Sequence, residues 1–190
     1  MRRGFKTWAE NEAVRLRQKL GMLASERLPA RTLAADLGVI IQDPKQIPGM
    51  TPQLLAVLLR EDSGWSAVTL PAVEPVIVIY NPSHSLPRQE SDLMHEMAHL
   101  LCNHECGSVT LVGSLPCRTF DPSQEEEAAW LGACLQIPRE GLLWCLRKGW
   151  DTVAIAEHFG SSLKQAQHRR NRTGVDSQIA RTRANPRWRR

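Results

Sequence analysis

The chain has 190 residues, of which 42% are apolar and 23% are charged, and its formal net charge is +4. Together with a mean hydropathy of -0.32, this composition predicts a single soluble domain with one sizeable core and excludes a chain built from membrane-spanning segments. The basic start is followed by a polar helix pattern instead of an apolar segment, so we expect neither a signal peptide nor a membrane contact, and we predict a cytoplasmic location.

The N-terminal third of the chain predicts a few short elements through its apolar periodicity and its proline positions. We predict helices at about 7–20 and 30–37, followed by a strand at 39–42. The proline-rich residues 44–52 predict a connector. Residues 53–59 are apolar enough for either a short helix or a buried strand, and the pattern leaves both open.

Two strand patterns follow, just ahead of the most informative segment of the chain. Residues 65–70 and 75–80 predict strands that pair in a hairpin-like arrangement. One of these strands would lie at the edge of a cleft. An extended peptide could add to such an edge through backbone hydrogen bonds, which would hold it straight for attack.

The pentapeptide His95-Glu96-Met97-Ala98-His99 lies in a segment that predicts a helix. Residues four apart share one helical face, so both imidazoles can point at one divalent cation, and Glu96 lies beside them where a water would bind. The apolar residues that would bury the back of this helix are Leu93, Met94, Met97, Leu100 and Leu101. An amphipathic helix with incidental histidines is the alternative, but the pattern favours a metal site for hydrolysis.

A zinc site of this kind needs a third protein ligand, and the position of that ligand separates the known families. The metzincin arrangement requires a glycine and a histidine three and six residues after His99, where this chain has Cys102 and Glu105, so it is excluded. A second helix is predicted at residues 124–136. It has acidic residues in its first turn and small residues along one side. It could approach the first helix closely and bring a glutamate to the metal. Cys102 and His104 are alternative ligands.

The rest of the chain predicts a loop and several helices. Residues 103–123 contain glycines and prolines and no long periodic stretch, so we predict a loop that rims the cleft. Further helices are predicted at 139–148, 151–159 and 162–171. Five cysteines, an odd number without a C-x-x-C pair, argue against a disulfide framework and fit a reducing compartment.

Basic residues are concentrated at the C-terminal end of the sequence. Residues 164–190 hold nine Lys or Arg residues against one acid. Together with Trp188 and a helix-turn-helix-like run at 153–170, this charge could bind nucleic acid. We favour instead a basic, disordered tail at 175–190 that follows a single domain at 1–174.

The two helical motifs resemble those of the ImmA/IrrE metallopeptidases, whose pattern is a His-Glu-x-x-His helix followed by Glu-x-x-Ala-Asn-x-Phe-Ala-x-x-Leu-Leu-x-Pro. The second block aligns without a gap from Glu125 to Pro138, with Ala128 and Leu135 at family positions. The residues that stand for the family's asparagine, phenylalanine, alanine and second leucine are Ala129, Leu131, Gly132 and Gln136. The resemblance covers about residues 10–174.

The resemblance implies an α+β, zincin-like metallopeptidase domain. In that fold a small mixed or antiparallel sheet packs against the His-Glu-x-x-His helix, and several helices follow it. His95, His99 and Glu125 would hold Zn2+, with another divalent transition metal as an alternative, and Glu96 would be the general base.

Several side chains are left as secondary candidates. Glu126 and Glu127 are weaker ligand candidates than Glu125, and for each of them a solvated first turn favoured by the helix dipole is the simpler interpretation. The donor that would stabilise an oxyanion is open, because spacing does not select among Tyr80, His84, His168 and Arg169.

The resemblance also implies a biological role. Enzymes of this family look like regulators that cut, at one site, a separate helix-turn-helix repressor of the phage-repressor type. We therefore predict a zinc-dependent endopeptidase that regulates gene expression and whose protein partner is such a repressor. Two alternatives stay open: a DNA-binding regulator with a vestigial metal helix, and a non-catalytic zinc-stabilised module that sequesters a repressor.

Overall fold

The computed structural model describes residues 1–60, 64–70, 74–105, 109–112, 115–118 and 121–184. In these ranges the helices are α1 Phe5–Lys19, α2 Ala30–Asp36, α3 Pro52–Leu58, α4 Leu86–Leu101, α5 Pro122–Gln136, α6 Arg139–Arg147, α7 Thr152–Phe159, α8 Leu163–Thr173 and α9 Val175–Ala184. The strands are β1 Ile40–Gln42, β2 Ala67–Leu70, β3 Ile77–Tyr80, β4 Val109–Val112 and β5 Leu115–Arg118.

A mixed sheet of three strands supports the site. β3 is the central strand, with β1 parallel to it on one side and β2 antiparallel to it on the other. The register of β2 on β3 joins Ala67 to Tyr80 and Leu70 to Ile77. Both strands contact α4. The prediction of an α+β fold, with a small sheet packed against the His-Glu-x-x-His helix, is therefore confirmed.

The helix α4 buries the face that its apolar pattern predicts. The fully buried side chains on this face are Leu93, Met94, Met97 and Ala98. Leu100 and Leu101 pack partly buried against the same core, which also receives side chains from α1, α2 and β3. Since the apolar stripe faces inward, the opposite side of α4 is left for polar residues.

The helix α5 lies at the centre of this core and packs against both α4 and α1. Two buried arginines hold its C-terminal end. The guanidinium of Arg17 donates to the carbonyl oxygen of Leu135 at 2.8 Å, and that of Arg169 donates to the carbonyl oxygen of Ile137 at 2.8 Å. Burial lowers the pKa of Arg17 to about 10, so this side chain stays charged near neutral pH. Carbonyl groups at a helix end that lack helical partners are thereby satisfied.

The helices after α5 pack on one another around a second group of buried side chains. This group comprises Ile137, Leu142, Cys145, Leu146, Ile155, Ala156, Phe159, Ala166 and Val175. The helices predicted at 139–148, 151–159 and 162–171 are confirmed as α6, α7 and α8. Within the described ranges, none of the helices combines the length and the apolar character that crossing a membrane requires.

The open alternative at residues 53–59 is decided in favour of a helix, α3. The side chain of Thr51 accepts a hydrogen bond from the N–H of Leu54 at 3.2 Å, and Pro52 occupies the first helical position. Both features are typical of helix starts. Capping chemistry therefore settles what apolar content could not.

The prediction of a loop at 103–123 was wrong for two stretches. β4 and β5 pair in antiparallel fashion, with Val109 opposite Arg118 and Val112 opposite Leu115. Their sequences are two short runs on either side of a Gly-Ser dipeptide, which is a signal for a two-residue hairpin connection. Glycines and prolines in this segment of the sequence therefore did not exclude strands at 109–112 and 115–118.

The prediction of a disordered tail at 175–190 was wrong for its first ten residues, which form α9. Val175 is fully buried, and Ile179 packs partly buried against the same cluster. Apolar residues four apart give a helix one face to bury, and this anchors α9 despite its basic composition. The remaining residues of the predicted tail, 185–190, lie outside the described residues.

Candidate metal centre

The helix α4 presents two imidazoles on the face opposite its buried side. The Nε2 atoms of His95 and His99 lie 3.0 Å apart. The two rings meet edge to face, with their centroids 4.7 Å apart. One helical turn separates the residues, so the spacing in sequence brings the two nitrogens to one point.

The helix α5 delivers Glu125 to the same point. The helix begins behind Asp121, whose carboxylate accepts a hydrogen bond from the N–H of Ser123 at 2.8 Å. This start places Glu125 in the first turn. Its Oε2 lies 3.2 Å from the Nε2 of His95, and its Oε1 lies 3.4 Å from the Nε2 of His99.

The three donors fit a tetrahedral transition-metal ion. Their separations are 3.0, 3.2 and 3.4 Å, and ligands about 2.0–2.1 Å from a tetrahedral zinc ion would be about 3.3–3.4 Å apart. Among the described residues that could ligate a metal, His95, His99 and Glu125 form the converging group. Two imidazoles and one carboxylate are a donor set of catalytic zinc sites, which keep a fourth position for solvent or substrate. The side chains are 30%, 21% and 36% exposed, so solvent can approach that position.

Glu96 lines one cleft together with His95. The cleft has a volume of about 400 Å³ and is lined by residues that include Ser66, Asp92, His95, Glu96, Ala129 and Gln165. Thr69 of β2 is buried and donates a hydrogen bond from its hydroxyl group to the Oε2 atom of Glu96. The sheet therefore anchors one carboxylate oxygen of the glutamate beside the converging donors.

The two glutamates after Glu125 differ in their surroundings. The side chain of Glu126 is 62% exposed, as a solvated first turn predicts. The side chain of Glu127 is 5% exposed and is bound by the Nε and Nη2 atoms of Arg2 at 3.0 and 2.9 Å, so the solvated interpretation is wrong for Glu127. Burial raises the pKa of this carboxyl group, but hydrogen bonds from Arg2 and His104 outweigh it and hold the pKa below its usual value.

Neither of the two alternative ligands belongs to the converging group. Cys102 is the C-cap residue that follows α4, and it lines a surface cavity with Arg2 and Trp8. Burial raises the pKa of its thiol to about 11. His104 contacts His99 from the other side, with the Nδ1 atoms of the two rings 3.0 Å apart.

The four candidates for an oxyanion donor occupy different environments. Arg169 is 1% exposed and lies in the core, which removes it from the cleft. The Nδ1 atom of His84 lies 2.7 Å from the Oδ2 atom of Asp92, and Asp92 lines the cleft. Tyr80 ends β3 and His168 is exposed on α8. The contact of its ring with Asp92 therefore links His84 to the cleft.

The sheet, the two packed helices and the converging donors define a zincin-like metallopeptidase domain. The family model Peptidase_M78, described as IrrE N-terminal-like domain, matches residues 56–171, which is more than half of the chain. The chain belongs to this family, and the resemblance seen in the two helical motifs is confirmed. The comparisons with curated proteins and with solved structures gave no match.

Proposed function

We propose that this protein is a zinc-dependent endopeptidase that cuts a helix-turn-helix repressor of the phage-repressor type, supplied as a separate chain, and so regulates gene expression. The observation that carries the proposal is the convergence of His95, His99 and Glu125, together with a cleft that His95 and Glu96 both line. Membership of a peptidase family supports hydrolysis of a peptide bond. The choice of repressor rests on the family resemblance, and it would place the protein in the cytoplasm.

The three converging side chains would hold the metal. When bound, a zinc ion supplies the positive charge that polarises a carbonyl group and makes a water more acidic. Zinc suits two imidazoles and a carboxylate, although the same donors also accept other divalent transition metals. His95, His99 and Glu125 approach from two helices, so the metal would also join α4 to α5.

Glu96 is the proton carrier in this proposal. Its carboxylate takes the proton from the attacking water and later passes it to the nitrogen of the leaving amine. Thr69 holds one carboxylate oxygen by a hydrogen bond, which leaves the other oxygen to face the water. A fixed orientation of this kind lets the base act without first losing rotational freedom.

The strand β2 offers the substrate a place to bind. It is an edge strand of the three-stranded sheet and contacts α4, and the nearby Ser66 lines the cleft. An extended segment of the substrate would add to this edge through backbone hydrogen bonds. Its scissile carbonyl group would then lie beside the side chains of α4.

The test is to incubate the metal-loaded protein with a phage-type repressor. We expect discrete repressor fragments that a chelator abolishes and that added zinc restores. The Glu96→Gln variant should give no fragments while its metal content, measured by elemental analysis, equals that of the wild type. Intact repressor with the wild-type protein, or equal cleavage by the variant, would contradict the proposal.

The same samples separate the two alternatives. A repressor that leaves its operator while staying intact would indicate a sequestering module. A salt-dependent DNA complex, together with full biological activity of the Glu96→Gln variant, would indicate a DNA-binding regulator.

A further inference from the structure

A chain of polar contacts runs from the metal centre to the N-terminal segment. The Nδ1 atom of His99 lies 3.0 Å from the Nδ1 atom of His104, and the Nε2 atom of His104 lies 3.3 Å from the Oε2 atom of Glu127. Arg2 closes the chain through its bonds to both oxygens of Glu127. His104 and Glu127 are 6% and 5% exposed, so these contacts are shielded from water.

The end of α4 explains why His104 meets His99. Asn103 adopts a left-handed conformation, with φ of 52°. The N–H of Asn103 then donates to the carbonyl oxygen of Leu100, and the N–H of His104 donates to that of His99, both at 3.0 Å. This is the Schellman arrangement that commonly ends helices, and asparagine is among the residues that tolerate its left-handed position. The turn brings the His104 side chain back against the last turn of α4.

The contact between Arg2 and Glu127, at the other end of this series of polar contacts, determines which ring nitrogens of His104 and His99 carry the protons. The backbone N–H of Arg2 donates to the Oε1 atom of Glu127 at 2.6 Å, and the Nε of its guanidinium donates to both oxygens, so both oxygens of this carboxyl group act as acceptors. A neutral His104 must then carry its proton on Nε2, so its Nδ1 is an acceptor. The facing Nδ1 of His99 must in turn be the donor, which puts the lone pair of His99 on Nε2.

The lone pair on the Nε2 atom of His99 lies on the side of the ring where the other proposed metal ligands converge. The Nε2 atom of His99 is the one that lies 3.0 Å from the Nε2 atom of His95 and 3.4 Å from Glu125. Neutral histidine in water favours the opposite tautomer, with the proton on Nε2, and that tautomer cannot bind a metal through Nε2. The contacts of His104 therefore oppose the intrinsic preference of His99 for the tautomer that is protonated on Nε2.

We propose that His104, held by Glu127, is a positioning residue that fixes His99 in the tautomer required for metal binding. This inference rests on the proposed metal site but not on the proposed substrate. Partners that fix the tautomer and orientation of a ligating histidine typically contribute about 10- to 100-fold to metal affinity. His104 is thus a supporting residue for the ligand, and not a fourth ligand.

The first test uses the metal-free wild-type protein and needs no variant. Long-range 1H–15N correlation spectra distinguish the two neutral tautomers of each histidine at about pH 8, where histidines are largely uncharged. We expect the proton of His99 on Nδ1 and that of His104 on Nε2. The reverse assignment of either ring would overturn the proposal, whether or not the protein cleaves any substrate.

The second test compares variants that keep or remove the acceptor. In His104→Leu we expect His99 to shift towards the Nε2-protonated form and the zinc dissociation constant to rise about 10- to 100-fold. In His104→Asn the side-chain oxygen can still accept from His99, so both properties should stay within about 3-fold of the wild type. His168→Leu, at an exposed position, is the matched control for loss of an imidazole.

The outcomes separate the two proposals. A folded His104→Leu protein with the wild-type tautomer of His99 and unchanged zinc affinity overturns the role of His104. If that variant does not fold, the wild-type spectra and the His104→Asn variant still decide. A wild-type protein that binds no zinc contradicts the proposed function, while the spectra of the metal-free protein continue to test the contact between His99 and His104.

Discussion

Gly132 of α5 lies directly against the backbone of His95 in α4. A Cβ atom at this glycine would stand 3.2 Å from the Cα and N atoms of His95 and from the carbonyl carbon of Met94. These neighbours are helix backbone and cannot rotate away as a side chain could. The missing side chain thus permits the close approach of two helices whose other side chains, among them Glu125, converge on one point.

We predict that Gly132→Ala weakens zinc binding several-fold, and that Gly132→Val weakens it further. The added atoms push α5 away from α4 and separate Glu125 from the two imidazoles. Alanine favours a helix over glycine by about 1 kcal/mol, and this gain offsets the cost of crowding α5 against α4. The metal-free Gly132→Ala protein should therefore unfold at nearly the wild-type denaturant concentration. Titration calorimetry with zinc, alongside urea unfolding of the metal-free protein, measures both effects. Unchanged affinity in both variants would show that the helix separation does not govern the site.

The choice of Glu125 as third ligand can be tested against its neighbour. We predict that Glu125→Ala lowers zinc affinity by more than about 100-fold, since loss of a direct ligand should exceed the effect of losing a supporting partner. Glu126→Ala is the matched control, because this side chain is 62% exposed and lies one residue away. Elemental analysis after dialysis against a metal-buffered solution gives the comparison. Equal metal content in the two variants would show that Glu125 is not the third ligand.

The hydroxyl group of Thr69 should matter for turnover and not for metal binding. Replacing Thr69 by valine keeps the shape of the side chain but removes the donor to Glu96. We predict that kcat falls about 10-fold, a part of the 100- to 10,000-fold that a positioned base contributes, with zinc affinity unchanged. Thr69→Ser retains the hydroxyl group and should recover most of the rate. Single-turnover cleavage assays check this, and equal rates for the valine and serine variants would exclude the role.

Most of the elements that carry the site were predictable from the sequence because each depends on a local pattern. The spacing of His95 and His99 on one helical face needs only the helical period, and the apolar residues beside them specify which face is buried. The acidic first turn of α5 and its small residues indicated a second helix near the first. Glu125 was selected among three adjacent glutamates by the family pattern, and the structure brings it to the two imidazoles.

The parts that were missed depend on contacts between distant segments. Burial of Glu127 follows from Arg2, which is 125 residues away in the sequence, so a local pattern could not distinguish it from Glu126. Thr69 meets Glu96 across 27 residues for the same reason. The start of α9 was obscured by composition, since the basic charge of the tail hid the apolar pair at Val175 and Ile179.

Arg17 provides a prediction about stability that is separate from the metal. Its guanidinium is fully buried and donates to the carbonyl oxygens of Ala13, Glu26, Leu135 and Gln136. Arg17→Met removes these donors while filling much of the same space. We predict a loss of about 3 kcal/mol in the free energy of unfolding, because each buried carbonyl group left without a partner costs about 1–3 kcal/mol and removal of a buried charge offsets part of that cost.

The matched control is Arg15→Met on the same helix. The side chain of Arg15 is 59% exposed and pairs with Glu12, so its loss should change the free energy of unfolding by no more than about 1 kcal/mol. Urea unfolding of the metal-free proteins measures both variants. Leu135 lies ten residues beyond Glu125, or roughly 15 Å along α5, so folded Arg17→Met protein should bind zinc as the wild type does. Wild-type stability of Arg17→Met would contradict the predicted role of Arg17 at the helix end. A folded variant that cannot bind zinc would show that Arg17 also acts on the site.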